Sequence, residues 1–370
     1  MFQELKKVFK VIDKWFMLFA FAAAILGLIV VYSATRSLDG GTRTTIIQFC
    51  AFLAGVIGMV VVMALDYESF GHKWTFIYAI NIMLLAVVLI LGVGEDIGGK
   101  SWIRIGPVGL QPSELVKVGF ILTFAKHLEK VQDDMNRLIP LLGIILHAGI
   151  LIGLILLQPD YGTAMVYMFI FICMVFAAGL HYRYFAIAAG GLLVFAPIAW
   201  FFVLKPYQKL RFLTFFNPEY DPSGSGYQVL QSKLAIGSGE LTGRGLFQGP
   251  QTQLNILPAK ETDFIFAVIA EELGFIGCIV AICLLFFLIF RCVYIAREAK
   301  SDYGKYICVG VAAMFLFQVF ENVGMCMGIM PVTGIPLPFF SAGGSSILTS
   351  MLAVGLVMNV WVRRKTLNFA

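Results

Sequence analysis

The sequence predicts an all-α, polytopic membrane protein with about ten transmembrane helices, both termini cytoplasmic and one large extracytoplasmic loop. Three observations predict it. Hydrophobic residues make up 59% of the 370-residue chain, against roughly 45–50% in soluble domains. Charged residues make up 13%, about half the usual ~25%. The apolar residues are also gathered into runs near the ~20 residues that cross a bilayer as a helix. The same composition excludes a disordered chain, collagen and a coiled coil, since there is no Gly-X-Y period and no charged heptad.

The runs fall near residues 15–35, 45–65, 74–93, 112–128, 138–157, 162–180, 184–204, 264–291, 305–330 and 341–362. An even number of spans puts both termini on one side. The fourth run is short and amphipathic. The opening MFQELKKVFKVIDKW leads into a full-length span with no small-residue cleavage site, so it reads as a first helix and not as a removed signal. Everything belongs to a single integral membrane domain, 1–370, with the loop at 205–262. No internal repeat is visible, which weakens a transporter built from duplicated halves.

Charge sets the orientation. Of the 27 Lys and Arg residues, 16 fall on the side of the termini and 4 in the short loops opposite, at Arg36, Arg43, Lys100 and Arg104. The long loop holds 6 more, but long loops count little in the positive-inside rule. The remaining one, Lys117, is counted on neither side. The termini are therefore cytoplasmic. Three outer segments then stand out: 94–114 (GEDIGGKSWIRIGPVGLQPSE), the loop 205–262, and 331–346 (PVTGIPLPFFSAGGSS). The inner loops are short, so the chemistry belongs to the outer face.

Within the long loop, Val229, Leu230, Leu234 and Ile236 fall close to one helical face, the pattern of a helix lying in the membrane interface. The Gly-rich GSGELTGRGLFQG follows no strand, so it makes a compact set of turns and no nucleotide site. A net charge of +5 without a dense basic run gives no sign of nucleic acid. The seven cysteines lie in or beside apolar runs, lack C-x-x-C spacing and read as small apolar fillers. The four histidines are scattered, so no metal site is read from them.

Ionisable residues at membrane depth are costly, which makes each a functional candidate. Glu114 and Lys117, three apart in QPSELVK, share a helix face. They form either an internal ion pair or a groove wall with Lys117 free to meet a phosphate, and Ser113 is placed to cap that helix. Asp160 in QPDYGT sits at a turn, where Asp is ordinarily structural. Asp263 lies where the long loop enters the eighth run. It is either a carboxylate favoured by the helix dipole or a general base at the mouth of an outer cavity. Glu271 and Glu272 lie two turns deeper, with pairing between helices as the plain reading of Glu271. In the stretch from Asn322 to Ser346, Pro331, Pro336 and Pro338 forbid a regular helix. Such backbone is tolerated at depth only inside protein or along a cavity. Gly343 and Gly344 in SAGGSS open the last helix, where free N–H groups attract anions. Glu321, directly before this stretch, is another buried carboxylate without an obvious partner. Lys205, Lys209, Arg211, Lys233, Arg244 and Lys260 make the loop basic, as suits an anionic lipid headgroup or merely a solvated surface.

At these residues the sequence resembles the SEDS family (shape, elongation, division, sporulation). The resemblance runs from Asn322 through Gly328, Pro331, Gly334, Ser341, Gly343 and Gly344 to Ser346. It continues in QPSELVK (111–117), QPDYGT (158–163), YQKLRFLTFFNPEYDPSGSGYQVLQSKLAIGSGELTGRG (207–245) and TDFIFAVIAEELGFIG (262–277). It covers nearly the whole chain, with Glu321 and Ala342 as departures. It implies ten helices and a peptidoglycan glycosyltransferase of the bacterial cytoplasmic membrane. That enzyme polymerises lipid II at the outer face by inverting transfer, with release of undecaprenyl pyrophosphate, for cell elongation and rod shape.

By resemblance Asp263 matches the essential aspartate. Glu114 and Lys117 match cavity-lining positions, and Arg211 matches a basic position of the large loop. Asp160, Lys233, Ser341, Gly343 and Gly344 complete the expected substrate site. A divalent cation, Mg2+ or Mn2+, is the one cofactor considered, with no nucleotide. The implied partners are lipid II, a class B penicillin-binding protein with transpeptidase activity, elongation-complex proteins and the membrane itself. A lipid II flippase is the alternative, and a non-catalytic scaffold the third reading. A flippase needs polar access from both faces, whereas here the polar residues cluster on one.

Overall fold

The computed structural model describes residues 11–93, 101–106, 108–203 and 206–364. Each of the ten apolar runs is a helix: α1 (Lys14–Thr35), α2 (Gly41–Ala64), α4 (Trp74–Leu91), α5 (Pro112–Val131), α6 (Leu138–Leu156), α7 (Tyr161–Ala177), α8 (Tyr182–Ile198), α12 (Ile265–Arg297), α13 (Asp302–Met327) and α14 (Gly344–Val362). A short α3 (Tyr67–His72) turns the chain between α2 and α4. Three loop helices, α9 (Pro206–Phe216), α10 (Ser225–Ser238) and α11 (Pro250–Gln253), precede α12. Strands β1 (Ile103–Ile105) and β2 (Val108–Leu110) form an antiparallel hairpin with Ile103 opposite Leu110. Lys6, Lys7, Lys10, Lys100, Lys205 and Lys365, counted above for orientation, lie outside the described residues, as do residues 94–100 of the first outer segment.

Among the described residues, eight helices are long and apolar enough to cross a membrane. The two that fall short do so for different reasons. Helix α7 has 17 residues, about 25 Å at 1.5 Å per residue. Helix α5 is long enough but carries Glu114, Lys117, Lys126, Glu129 and Lys130. Glu114 and Lys117 are tolerated because that part of the helix is enclosed against α4, α13 and α14, while Lys126, Glu129 and Lys130 sit at its last turns, with Lys130 exposed. Helices α2 and α14 approach closely because glycines meet side chains across the seam. A Cβ on Gly355 would stand 3.0 Å from the Met59 backbone, the small-residue device of helix pairs in lipid. Helix α8, by contrast, has no buried residue and stands at the periphery.

The two ends of the bundle are held differently. At the end carrying both termini, Asp13 caps α1 by accepting from the Trp15 and Phe16 N–H groups, each at 3.1 Å. Asp13 also pairs with Arg291 of α12. The Trp361 indole donates to the Val11 carbonyl at 3.0 Å, so the start of α1 and the end of α14 touch.

At the opposite end the loop region is docked through a break in α12. Gly274 has φ +67, ψ −166, outside helical space, and a side chain there would be strained. The break deprives carbonyls and amides of their helical bonds, so they need other partners. The loop supplies them. Arg244 N–H donates to Glu271 O at 2.9 Å and Gly245 N–H to Glu272 O at 3.0 Å. Phe275 and Ile276 donate in return to the Glu240 and Leu241 carbonyls at 2.9 and 3.2 Å. The Gly-rich stretch is therefore the plug of a broken helix.

Helix α10 corrects one expectation. Its buried face is Gly226, Val229, Ser232 and Ala235, against α12 and α13. Ser232 Oγ donates to the Cys326 carbonyl at 2.8 Å. Leu230 and Leu234 are exposed on another side. The four apolar residues assigned to one face thus split, because Val229 follows the small residues that allow close packing.

Candidate active site

Helix α13 ends at Gly328, and an irregular strap, residues 329–343, leads to α14. Its first residues are tied back to the helix: Gly328 N–H donates to Met325 O at 3.0 Å and Ile329 N–H to Gly324 O at 2.8 Å. Three prolines keep it from coiling. Ile335, Leu337, Phe339 and Phe340 are buried, so its broken backbone lies inside protein, as non-helical chain at depth requires.

Asp263 stands just before Phe264, the N-cap of α12, and is half-buried. Its main chain is gripped from two sides. Its N–H donates to Ala259 O at 3.0 Å, while its carbonyl accepts from Asn322 Nδ2 at 2.8 Å and from Cys326 Sγ at 3.7 Å. Asn322 also donates to Ile335 O at 2.8 Å. One amide thus fixes both the aspartate and the strap. The carboxylate lies over Gly334, where a Cβ would stand 3.4 Å from Oδ2 and where φ is +76, a conformation that favours glycine.

Ser341 and Gly343 serve this assembly from within. Ser341 Oγ donates to Thr262 O at 2.5 Å and accepts from Leu337 N–H at 2.8 Å. Gly343 N–H donates to Gln48 Oε1 at 2.9 Å, and Gln48 Nε2 donates to Ser341 O at 3.1 Å. The Gly343 amide expected to be free for an anion is therefore engaged. Gly344 lies against Ala51 of α2. Gln48 is the residue that sequence reasoning missed; the available signal was a lone amide inside an apolar run.

The second group lies on the other flank of the strap, where Gly162 packs against the Thr333 carbonyl. Asp160 caps α7, accepting from Thr163 N–H at 3.1 Å, and accepts from Gln111 Nε2 at 2.9 Å. The Gln111 N–H donates to Ser345 Oγ at 2.9 Å. Glu114 and Lys117 are both buried and form an ion pair at 2.6 Å, so the lysine is not free to meet a phosphate in this state. Glu114 Oε2 and Ser113 Oγ are buried without partners. Ser113 does not cap α5, whose N-cap Gln111 makes no side-chain cap bond.

The third group is basic. Lys233 of α10 is exposed and its ammonium lies over Gly328, 2.6 Å from where a Cβ would be. It borders a cavity of about 220 Å3 whose walls include Thr214, Phe216, Val229 and Pro331. The backbone of Arg211 lies on α9; its side chain is outside the described residues.

Other acids near Asp263 are structural. Glu271 accepts from Gln251 N–H at 2.8 Å, Thr252 N–H at 3.0 Å and Thr252 Oγ1 at 2.6 Å, holding loop helix α11 where interhelical pairing was expected. Glu272 accepts from Ser33 Oγ at 2.5 Å and Gln253 Nε2 at 2.9 Å. Lys260 is buried in the loop and donates to Ser37 Oγ, Asn255 Oδ1 and the Thr252 carbonyl. Burial pulls its pKa below the usual lysine range, opposed by Glu261, Glu271 and Glu272. Glu321 does have a partner, the Thr333 hydroxyl.

The residues present do not build a metal site: among the described residues no three His, Cys, Asp or Glu side chains converge to hold an ion. What the arrangement offers is a half-buried carboxylate on a rigid backbone, a polar wall on one flank and a cationic cavity on the other.

Residues 13–366 match the model of the cell cycle protein family FtsW/RodA/SpoVE. A probable peptidoglycan glycosyltransferase FtsW of Trichlorobacter lovleyi is 36% identical over 97% of this chain and 96% of its own length. The peptidoglycan glycosyltransferase MrdB of Escherichia coli K12 is 35% identical over 96% and 95%. Among solved structures, a chain from a peptidoglycan synthase complex that coordinates polymerization and crosslinking superposes with a TM-score of 0.84 at 30% identity. The match covers 96% of this chain and 99% of that one.

Proposed function

This chain belongs to the FtsW/RodA/SpoVE family of cell cycle proteins. From that premise we propose that it is a peptidoglycan glycosyltransferase that polymerises lipid II into β-1,4 glycan strands at the outer face of the bacterial cytoplasmic membrane, in the elongation branch of the family. The reading rests on one observation above the others: the Asp263 backbone is fixed by Asn322, Cys326 and Ala259 while its carboxylate faces the Gly334 turn.

Lipid II carries its sugar α-linked to pyrophosphate, and the polymer is β-linked, so a single displacement with inversion suffices. The acceptor 4-hydroxyl attacks the anomeric carbon. Its proton passes to the Asp263 carboxylate, the new glycosidic bond forms, and the sugar–pyrophosphate bond breaks with its electron pair leaving on undecaprenyl pyrophosphate. A base of this kind contributes on the order of 10²–10⁴ in rate. Rigidity matters because the base must meet the hydroxyl within hydrogen-bond reach. Lys233, with Arg211 on the neighbouring helix, receives the charge that develops on the leaving group. Such placed charge is ordinarily a large contributor to catalysis. The Glu114–Lys117 pair and Asp160 form the opposite wall. A divalent cation, Mg2+ or Mn2+, would enter as the counter-ion of the substrate pyrophosphate, since the described residues offer it no cage.

The protein partner proposed is a class B penicillin-binding protein, which would cross-link the new strand within an elongation complex. The resemblance to a chain of a peptidoglycan synthase complex supports this. The charge asymmetry of the loops supports cytoplasmic termini.

The test is a polymerisation assay on the purified protein with lipid II and a divalent cation, with and without the penicillin-binding protein. A glycan ladder is expected. Absence of a ladder in every condition, with lipid II still crossing liposome membranes, would replace the polymerase by a flippase.

A further inference from the structure

The strap has a weakly tied middle. Its first residues are bonded to the end of α13. From Ile335 onward it is held by Asn322, by Ser341 and by the Ala342 N–H, which donates to Glu261 O at 2.7 Å. Between these anchors lie residues 331–334. Among the described residues, the hydrogen bond these four make is that of Thr333 Oγ1 with the Glu321 carboxylate. The next residue, Gly334, is the one under Asp263.

Glu321 is otherwise hard to explain. It is 2% exposed, in a helix whose neighbouring positions are mostly apolar. Burying a carboxylate is costly unless it is bonded, and an ionisable residue at this depth ordinarily has a task. It also directly precedes Asn322, which grips Asp263 and Ile335. Consecutive residues of one helix therefore hold consecutive pieces of the site. Glu321 takes Thr333, and Asn322 takes the strap beyond Gly334 together with the aspartate's carbonyl.

We propose that Glu321 is a positioning residue for the transfer reaction: through Thr333 it sets the height and tilt of the Gly334 turn against which the Asp263 carboxylate is oriented. Glu321 touches neither substrate nor the reacting atoms. The inference rests on the reading of Asp263 as the base. A turn free to rise or sink by half an ångström would leave the base intact and bonded but poorly aimed, and misaim lowers turnover more than binding.

The experiment compares Glu321→Gln, Glu321→Leu, Thr333→Val and the double variant Glu321→Leu/Thr333→Val in the full-length protein. It reads kcat and KM for lipid II polymerisation, and amide hydrogen exchange across 329–343. Glutamine still accepts a hydrogen bond from Thr333, so it should stay within about threefold of the parent in kcat. Leucine at 321 and valine at 333 should each lower kcat about tenfold, with KM within about twofold and faster exchange at Val332–Ile335. The double variant should be no worse than the poorer single one, the mark of two residues acting through one contact. Equal damage from Gln and Leu, losses that multiply in the double variant, or Leu at parental kcat with unchanged exchange would each overturn the proposal. If Asp263→Asn proves active the base assignment falls, yet the exchange measurement still decides whether Glu321 holds the strap.

Discussion

Asp263 and Glu271 lie eight residues apart on one stretch of chain, and both are acids at the loop end of the bundle. Glu271 is fully buried and its two oxygens accept three hydrogen bonds from Gln251 and Thr252. Asp263 is half-buried, and its main chain is held by Ala259, Asn322 and Cys326. A carboxylate saturated by donors inside protein builds structure. One whose backbone is rigid and whose side chain reaches partly accessible space can take up a proton. The difference teaches that burial, and not the presence of an acid, sorts structural from chemical carboxylates.

The strongest way to break this contrast is Asp263→Asn. It should lower the polymerisation rate by about 10²–10⁴ while the thermal midpoint stays at the parental value. Next is the opposite wall. Lys117→Met leaves Glu114 buried and unpaired, which should cost about 3–5 kcal/mol, read as loss of folded protein in detergent. Adding Glu114→Gln should restore folding. If it restores polymerisation as well, the pair packs helices and does not line a groove. Glu271→Ala should cost about 1–3 kcal/mol for the donors it strands, seen as a lower thermal midpoint, with activity per folded molecule kept. Gly334→Ala should cost about 1 kcal/mol for its left-handed backbone and lower activity more than stability alone explains. Smallest is Lys233→Ala, expected to lower kcat for lipid II polymerisation a few-fold because the lysine is exposed, an effect that shrinks in high salt as screening removes the charge.

Much of the fold is legible in the sequence because spans are long runs of one chemistry. Eight of the helices follow from apolar length, and the other two runs, the short α7 and the charged α5, prove to be helices as well. The break in α12 is not legible. Gly274 in EELGFIG looks like any glycine inside a span, and its meaning depends on loop residues 240–245 that plug it. The candidate site divides in the same way. Asp263, the prolines of the strap and Gly334 stand out locally or by resemblance. The engagement of Gly343 by Gln48 spans 295 residues, and the bond of Glu321 to Thr333 crosses the turn at the end of α13. Contacts of that kind have no periodicity to read. Leu230 and Leu234 make the related point: periodicity finds an apolar face but not which neighbour has room for it.

The most direct measurement is the initial rate of lipid II polymerisation by Asp263→Asn beside Glu271→Gln, at matched amounts of folded protein and with the same penicillin-binding protein present. A base at Asp263 and a structural acid at Glu271 require the first rate to fall by about 10²–10⁴ and the second to remain near the parental rate. Two variants equally active, or equally inactive per folded molecule, would contradict the division between the two acids.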